Sequence, residues 1–298
     1  MSKHLHDEHD LGLAHDLAAM ARRAQERRHV MRWLLSGSAA ALLASCGGSG
    51  DSDTTSSDSG SGSGSGTGSG SGDDSGDGTC VANAEETAGP YPADGSNTVN
   101  GMVSNVLTES GVVRSDIRSS FGSSTNTAPG VPVTLTLSLV NSNDSCSPLV
   151  GYAVYLWHCT RDGQYSLYSS AIQDENYLRG VQVSDDNGQV TFQTIFPGCY
   201  SGRYPHIHFE IYPGLDWATL YTNKVLTSQI ALPRDICSTV YGSAEGYDAS
   251  VSNLAGVTID SDNVFGDNTE AQIEAMTATL AGSVSSGYEG SLVIGVAA

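Results

Sequence analysis

Apolar and polar residues alternate along much of the chain beyond residue 80. The clearest runs are VTLTLSLV at 133–140, YAVYLWHC at 152–159 and VTFQTIF at 190–196. A period of two places alternate side chains on opposite faces of a strand, and Gly, Pro, Asn or Asp residues bound each run. Many short strands separated by turn signals, with few helices, predict an all-β fold: a single β-sandwich domain at 80–298.

Three local patterns refine this expectation. An Asn187-Gly188 step separates two alternating runs within 181–193 and predicts a β-hairpin, because both residue types accept the positive φ of tight hairpin turns. Residues 268–280 have apolar positions at helical spacing, although their threonines leave a strand open. The Gly-, Asn- and Ser-rich stretch 96–130 is expected to run over the domain surface.

The first 45 residues have the composition of an export signal. Six of the 13 lysines and arginines lie here, ahead of the apolar run WLLSGSAAALLAS at 33–45. This run is too short to span a bilayer as a resident helix. LLASC resembles a bacterial lipobox, in which the cysteine, here Cys46, becomes the lipid-modified first residue, and Arg27-Arg28 resembles a twin-arginine signal. The alternatives are an ordinary cleaved signal and general secretory export.

Residues 46–79 follow as a tether. Beyond Cys46 they contain no aromatic or large aliphatic side chain, so they cannot bury a core, and a Gly/Ser coil of this length spans roughly 30 Å r.m.s.. We therefore expect a disordered Gly/Ser linker between a lipid-attached Cys46 and the domain at 80–298. The lipoprotein is expected to be exported and membrane-anchored, facing the periplasm or the cell surface.

Charge narrows the range of partners. The chain has 13 Lys and Arg against 33 Asp and Glu, of which six and five precede Cys46, so the remainder carries a formal charge of −21. Nucleic acids and anionic lipid surfaces are therefore not expected partners, and membrane contact is expected only through the lipid anchor at Cys46. Five cysteines follow Cys46, enough for up to two disulfides in an exported protein.

Histidines are the first candidates for chemistry. Of the eight in the chain, three lie in the domain, and His206 and His208 are two apart in the strand-like run HIHFEIY. That spacing directs both imidazoles to one face, where they can bind one metal, although paired strand histidines are often only hydrogen-bonded. A three-histidine zinc site would need His158, which alternates with Trp157 and can equally face the core.

Two histidines therefore need other donors to complete a metal site. Tyrosine is abundant, with 13 residues, and Tyr165 and Tyr200 lie at the ends of two predicted strands. A phenolate is a hard anionic ligand whose free pKa is about 10, so a strongly acidic metal such as ferric iron is needed to hold it deprotonated at neutral pH. Tyr168 is a rival to Tyr165 as a ligand.

Three ordered segments carry a family resemblance: VYLWHCTRDGQYSLY at 154–168, LRGVQVSDDNGQVTFQTIFPG at 178–198 and CYSGRYPHIHF at 199–209. Together they resemble the core motifs of the intradiol ring-cleavage dioxygenases, the group that contains catechol and protocatechuate dioxygenases. The resemblance extends over about 80–297 and is greatest to exported, stand-alone members.

The resemblance implies one ferric ion per chain and assigns its site. Tyr200 would also act as a catalytic proton acceptor, and Arg203 matches the active-site arginine. Trp157 and Gln229 match positions on the substrate side. The implied metal ligands are Tyr165, Tyr200, His206 and His208.

The implied function is that of a non-haem ferric dioxygenase. It would cleave a catechol-type ring between its two hydroxylated carbons with O2, giving a muconate-type diacid. Its partners would be a small aromatic diol and O2. The alternatives are a non-catalytic, surface-displayed β-sandwich binding module and a zinc-dependent hydrolase. Because the signal and tether replace a helical region that pairs subunits in well-studied members, the oligomeric state is left open.

Cys159 and Cys199 lie close to these motif positions, on strands expected to be neighbours. We hypothesise a disulfide between them that braces the site. Two buried thiols are the alternative.

Overall fold

Eleven β-strands, three α-helices and three short 3-10 helices form the secondary structure of residues 80–298, the part of the chain that this computed structural model describes. The expected export signal, Cys46 and Gly/Ser linker lie outside the described residues. The strands are β1 Asp94–Val99, β2 Met102–Asn105, β3 Pro132–Asn141, β4 Ser147–Pro148, β5 Ala153–Trp157, β6 Arg179–Val183, β7 Gln189–Ile195, β8 His206–Tyr212, β9 Leu226–Ala231, β10 Thr279–Ser283 and β11 Gly287–Val296. The helices are α1 Arg234–Ser243, α2 Asp248–Ala255 and α3 Glu270–Met276.

Two sheets form the body of the domain. A five-stranded sheet has the order β10-β11-β3, with β7 and β4 both paired to the other edge of β3, and β11 runs parallel to β3. A four-stranded antiparallel sheet has the order β6-β5-β8-β9. One apolar cluster joins them and includes Leu135, Leu137, Phe192 and Ile294 from the first sheet and Leu156, Ile207, Phe209 and Ile230 from the second. The prediction of an all-β sandwich with few helices is confirmed.

The four-stranded sheet is buried on both faces. Every residue of β8 and β9 is buried, so these strands do not alternate between core and solvent. Its second face packs against a separate apolar cluster that includes Val106 and Val112. The stretch 96–130 therefore does not lie wholly on the surface: it supplies buried side chains that cover this sheet.

The Asn187-Gly188 turn is present, but the predicted hairpin is wrong. The strands on either side belong to different sheets, since β6 pairs with β5 and β7 pairs with β3. Gly188 has φ +73°, and its N–H donates to the Asp185 carbonyl at 2.9 Å. A Cβ at this position would lie 2.6 Å from the Leu139 carbonyl oxygen, so the close approach of the turn to β3 requires glycine.

The helices agree only in part with the sequence pattern. The first half of 268–280 forms α3, where Thr269 and Gln272 make a reciprocal capping box, and the chain then turns into β10. Helices α1 and α2 were not predicted. Among residues 80–298, no helix has the length and apolar character needed to cross a membrane.

The cysteine hypothesis is corrected by the structure. Cys80 and Cys146 form a disulfide that joins the start of the described chain to the turn between β3 and β4. Cys159 and Cys199 are free, buried thiols, so the hypothesised disulfide between them is wrong. Their sulfur atoms are directed to different carbonyls: Cys159 Sγ lies 3.4 Å from the Gly198 oxygen and Cys199 Sγ 3.5 Å from the Arg203 oxygen.

Candidate metal centre

His206 and His208 share the second face of the four-stranded sheet, as their spacing predicts. Ile207 between them points into the core shared with the other sheet. The two Nε2 atoms lie 3.1 Å apart. His206 Nδ1 lies 2.6 Å from the Tyr204 carbonyl oxygen, which can only accept, so Nδ1 carries the proton and Nε2 presents its lone pair.

Two tyrosines reach the same point from loops. Tyr165 lies in the connection between β5 and β6, and Tyr200 follows β7. Tyr165 Oη is 3.2 Å from His208 Nε2, and Tyr200 Oη is 3.1 Å from His206 Nε2. The two phenol rings meet edge to face with their centroids 5.9 Å apart.

The four donor atoms thus form a continuous series of contacts of 3.1–3.2 Å. Ligands about 2.1 Å from a common metal ion lie about 3.0–3.4 Å from their neighbours, so this spacing suits one shared cation. All four side chains are buried, with exposures of 2–9%. His206 Nε2 presents its lone pair towards this point, which suits a cation shared with the other three donors.

The electrostatics of the centre favour neutral imidazoles. Burial, followed by the charge of Arg203, lowers the pKa of His206 to about 3. Burial and the neighbouring His206 lower the pKa of His208 well below its ordinary value. Both rings are therefore neutral at neutral pH, with one nitrogen of each free to bind a metal.

Burial also favours the neutral form of the two phenols, but for a phenol the neutral form is the protonated one. Burial, reinforced by Tyr200, raises the pKa of Tyr165 well above its ordinary value, and burial raises the pKa of Tyr200 to about 12. Neither phenol ionises near neutral pH unless a strong cation is present to stabilise the phenolate. Two neutral nitrogens and two hard oxygens fit a highly charged, oxygen-seeking ion such as Fe³⁺.

His158 does not join this centre. Its ring lies 2.6 Å from Thr194 Oγ1 and 2.8 Å from the Cys159 carbonyl oxygen, and both contacts are buried. Between residues 80 and 298, no group of three or more His, Cys, Asp or Glu side chains is arranged to hold a metal ion. A metal bound by His206 and His208 therefore depends on the phenol oxygens.

Tyr168, the rival ligand, is engaged elsewhere. Its hydroxyl donates to Asn97 Oδ1 at 2.7 Å and accepts from the backbone N–H of Ala93 at 2.8 Å. The structure therefore places Tyr165, and not Tyr168, beside the histidines.

Arg203 and Gln229 lie together next to the face that carries His206 and His208. Gln229 pairs with His208 across β8 and β9, and its Oε1 accepts a 2.6 Å hydrogen bond from Arg203 Nη2. Arg203 is 1% exposed and forms an ion pair with Asp262, whose Oδ2 is 2.9 Å from Nε. The third nitrogen, Nη1, is buried and has no hydrogen-bond partner among the described residues.

Trp157 lies behind His208. The indole and imidazole planes are 4° apart with centroids at 4.9 Å, and Trp157 is fully buried. This stack supports the ring of one candidate metal ligand. A direct contact of Trp157 with substrate stays a prediction.

Segment 86–91 covers the centre and was not identified from the sequence. Gly89 has φ +73°, and a Cβ there would lie 3.2 Å from His208 Cε1. The Tyr91 ring lies 4.8 Å from that of Tyr165, and the Thr87 carbonyl accepts from Gln229 Nε2 at 2.9 Å. The Gly89-Pro90 turn signal was the available clue.

Comparisons with known proteins agree with this geometry. A family model described as dioxygenase matches residues 114–208, which include Tyr165, Tyr200, Arg203, His206 and His208. A chlorocatechol 1,2-dioxygenase from Rhodococcus opacus is 30% identical over 115 residues, or 32% of this chain. The aligned part spans 44% of that relative, less than half its length.

Solved structures extend the similarity over the whole described domain. An intradiol ring-cleavage dioxygenase from Tetranychus urticae matches with a TM-score of 0.56 and 25% identity, covering 73% of this chain and 95% of that one. A second dioxygenase structure matches with a TM-score of 0.54 and 26% identity, covering 73% and 94%. The fold around the candidate centre is therefore shared with solved dioxygenases.

Proposed function

We propose that this protein is a member of the intradiol ring-cleavage dioxygenase family and cleaves a catechol-type ring with O2 between its two hydroxylated carbons. The product would be a muconate-type diacid. One ferric ion per chain would be held by Tyr165, Tyr200, His206 and His208. The single observation that carries the proposal is the convergence of these two phenols and two imidazoles through successive contacts of 3.1–3.2 Å.

When bound, ferric iron would supply the Lewis acidity that stabilises the two phenolates and a bound diol, and it would prepare that diol for O2. The chain's own residues would supply the surroundings of the ion and the diol. Its buried donors and the covering segment 86–91 exclude bulk water, which strengthens each electrostatic contact in the site.

Tyr200 is suited to accept a proton from the substrate. The residue is 9% exposed against 2% for Tyr165, so Tyr200 is the less buried of the two tyrosines. Burial raises the pKa of Tyr200 to about 12 in the absence of a cation, so its surroundings favour the protonated phenol that accepting a proton would give. A separate acid–base dyad is not needed.

Arg203 is suited to stabilise negative charge on the ring as it is cleaved. Its guanidinium is fixed on two sides by Asp262 and Gln229, and its buried Nη1 remains available as a donor. A donor held in place before reaction lowers the barrier without reorganisation. Because both oxygen atoms of O2 enter the product, the reaction requires no external reductant.

Export and lipid attachment at Cys46 belong to the same proposal. The Cys80–Cys146 disulfide supports export, because disulfides persist mainly in oxidising compartments outside the cytoplasm. A reaction that needs no reductant suits such a location.

The test is oxygen uptake by the iron-replete protein with catechol, protocatechuate and hydroxyquinol, followed by ultraviolet spectra of the products. We expect stoichiometric O2 consumption and a muconate-type product with at least one substrate. Tyr168→Phe serves as a matched control, because Tyr168 is close to the site but its hydroxyl is engaged elsewhere. Absence of uptake with all three diols, or cleavage outside the two hydroxylated carbons, would contradict the proposal.

A further inference from the structure

Asp262 is a buried carboxylate outside every sequence motif of the site. It lies between α2 and α3 and is 2% exposed. Burying a carboxylate is costly unless its oxygens are paired, and these oxygens accept four hydrogen bonds. Burial alone would raise the pKa of Asp262, but the charge and hydrogen bond of Arg203 outweigh it and hold that pKa below its ordinary value.

The two oxygens of Asp262 face different parts of the molecule. Oδ1 accepts from the backbone N–H groups of Val264 and Phe265, at 2.8 and 3.1 Å, and so fixes the carboxylate to its own turn. Oδ2 accepts from Arg203 Nε at 2.9 Å and from the Tyr204 N–H at 2.6 Å. The carboxylate thus bridges a distant loop and the segment that enters β8.

These contacts determine how Arg203 is presented. Asp262 holds Nε, and Gln229 holds Nη2, so two anchors fix the plane of the guanidinium. The remaining nitrogen, Nη1, is buried without a partner among the described residues. A planar guanidinium fixed at two nitrogens directs the third along one line, which a flexible arginine does not do.

The same carboxylate also reaches a metal-binding histidine through one residue. Tyr204 donates its N–H to Asp262 and accepts from His206 Nδ1 at 2.6 Å through its carbonyl. Arg203 and His206 are therefore aligned by a common partner that is more than fifty positions away in sequence.

We infer that Asp262 is a positioning residue that fixes Arg203 so that Nη1 faces the reacting diol. This role rests on the proposed function and deepens it. A buried ion pair that served only the fold would affect stability when broken, but not turnover per bound iron.

The experiment compares Asp262→Asn, Arg203→Gln and the double variant in the iron-loaded full chain. Turnover and KM with catechol are measured per bound iron, and anaerobic catechol affinity is read from the visible absorption band. Asp260→Asn is the matched control, since Asp260 is an exposed aspartate in the same loop. Asp262→Glu tests whether a carboxylate restores function.

We expect Asp262→Asn to retain the visible band and to lose about 10²-fold to 10³-fold in turnover per iron. When Asp262→Asn is combined with Arg203→Gln, turnover per iron should fall by less than about a further threefold, because the two residues act as one unit. Asp262→Glu should recover part of the loss, and Asp260→Asn should match the wild type.

The role is overturned if Asp262→Asn changes only iron occupancy or thermal stability, or if the losses of the two single variants multiply in the double variant. A wild-type protein that neither consumes O2 nor binds catechol would overturn the proposed function together with this role. An active wild type with multiplying losses would overturn the role of Asp262 alone.

Discussion

The Trp157 indole lies flat against the His208 imidazole, with an interplanar angle of 4° and a centroid separation of 4.9 Å. The contact follows from sheet register, because the two residues are direct partners across β5 and β8. The orientation of the His208 ring, a proposed metal ligand, therefore depends on an aromatic residue that is itself fully buried.

Replacing Trp157 tests this support. Trp157→Ala should destabilise the domain by about 3–5 kcal/mol and weaken iron retention, because it leaves a large cavity behind His208. Trp157→Phe should cost less, since it keeps the stack and removes a buried indole N–H that has no partner among the described residues. Chemical denaturation and iron content measure both effects.

Trp217→Ala is the control for this pair. Trp217 is 56% exposed, so its loss should change stability by no more than about 0.5 kcal/mol. Equal stability of Trp157→Ala and Trp217→Ala would contradict the structural role of the stack. A raised KM in an otherwise stable Trp157→Phe would support the predicted substrate contact.

The Cys80–Cys146 disulfide should make a large contribution to stability. It closes a loop with a sequence separation of 66, for which chain entropy gives a stabilisation of about 4 kcal/mol. Replacing both cysteines by serine should lower the free energy of unfolding by this order, as measured by urea denaturation. A reductant should destabilise the wild type and leave the double variant unchanged; equal sensitivity of both would argue against the disulfide.

Glu86 should make stability depend on pH. Burial raises its pKa from 4.5 to about 7, and the hydrogen bond from Asn268 offsets only part of this effect. Between these two values the folded state holds the proton more tightly than the unfolded state, so the stability that protonated Glu86 contributes is fully present below pH 4.5 and is lost as pH rises through 7.

Glu86→Gln should remove that fall, so the variant should gain stability over the wild type at pH 8 and match it at pH 4.5. Thermal unfolding across this range measures the difference. Glu85→Gln, at the exposed neighbouring position, should follow the wild-type curve. Parallel curves for Glu86→Gln and the wild type would show that Glu86 does not titrate in this window.

The local parts of the site were predictable from sequence because they depend on strand geometry. The spacing of His206 and His208 sets a common face, and the ordered motifs identified Tyr165 and Tyr200, which the structure brings within reach of those histidines. No sequence pattern near Asp262 indicated a role for this residue in the site. Its role depends on a loop that folds back onto Arg203, which periodicity does not encode.

Other expectations failed where tertiary context decided the outcome. The Asn187-Gly188 turn formed as its chemistry dictates, but its two strands entered different sheets because β3 pairs with β7. Helix α1, with the sequence RDICSTVYGS, has weak intrinsic helix propensity, and it buries Cys237, Val240 and Tyr241 against the core. Cys159 and Cys199 are near motif positions, yet proximity in the pattern did not place their sulfur atoms face to face.

The most direct test of the account is the visible absorption spectrum of the purified protein, recorded with its iron content. Two tyrosinates on ferric iron produce an intense charge-transfer band, so we expect a wine-red protein with one iron per chain. Tyr165→Phe and Tyr200→Phe should each weaken and shift the band, whereas Tyr168→Phe should retain it. A colourless iron-replete protein, or a band that is unchanged when both Tyr165 and Tyr200 are replaced, would contradict the proposed centre.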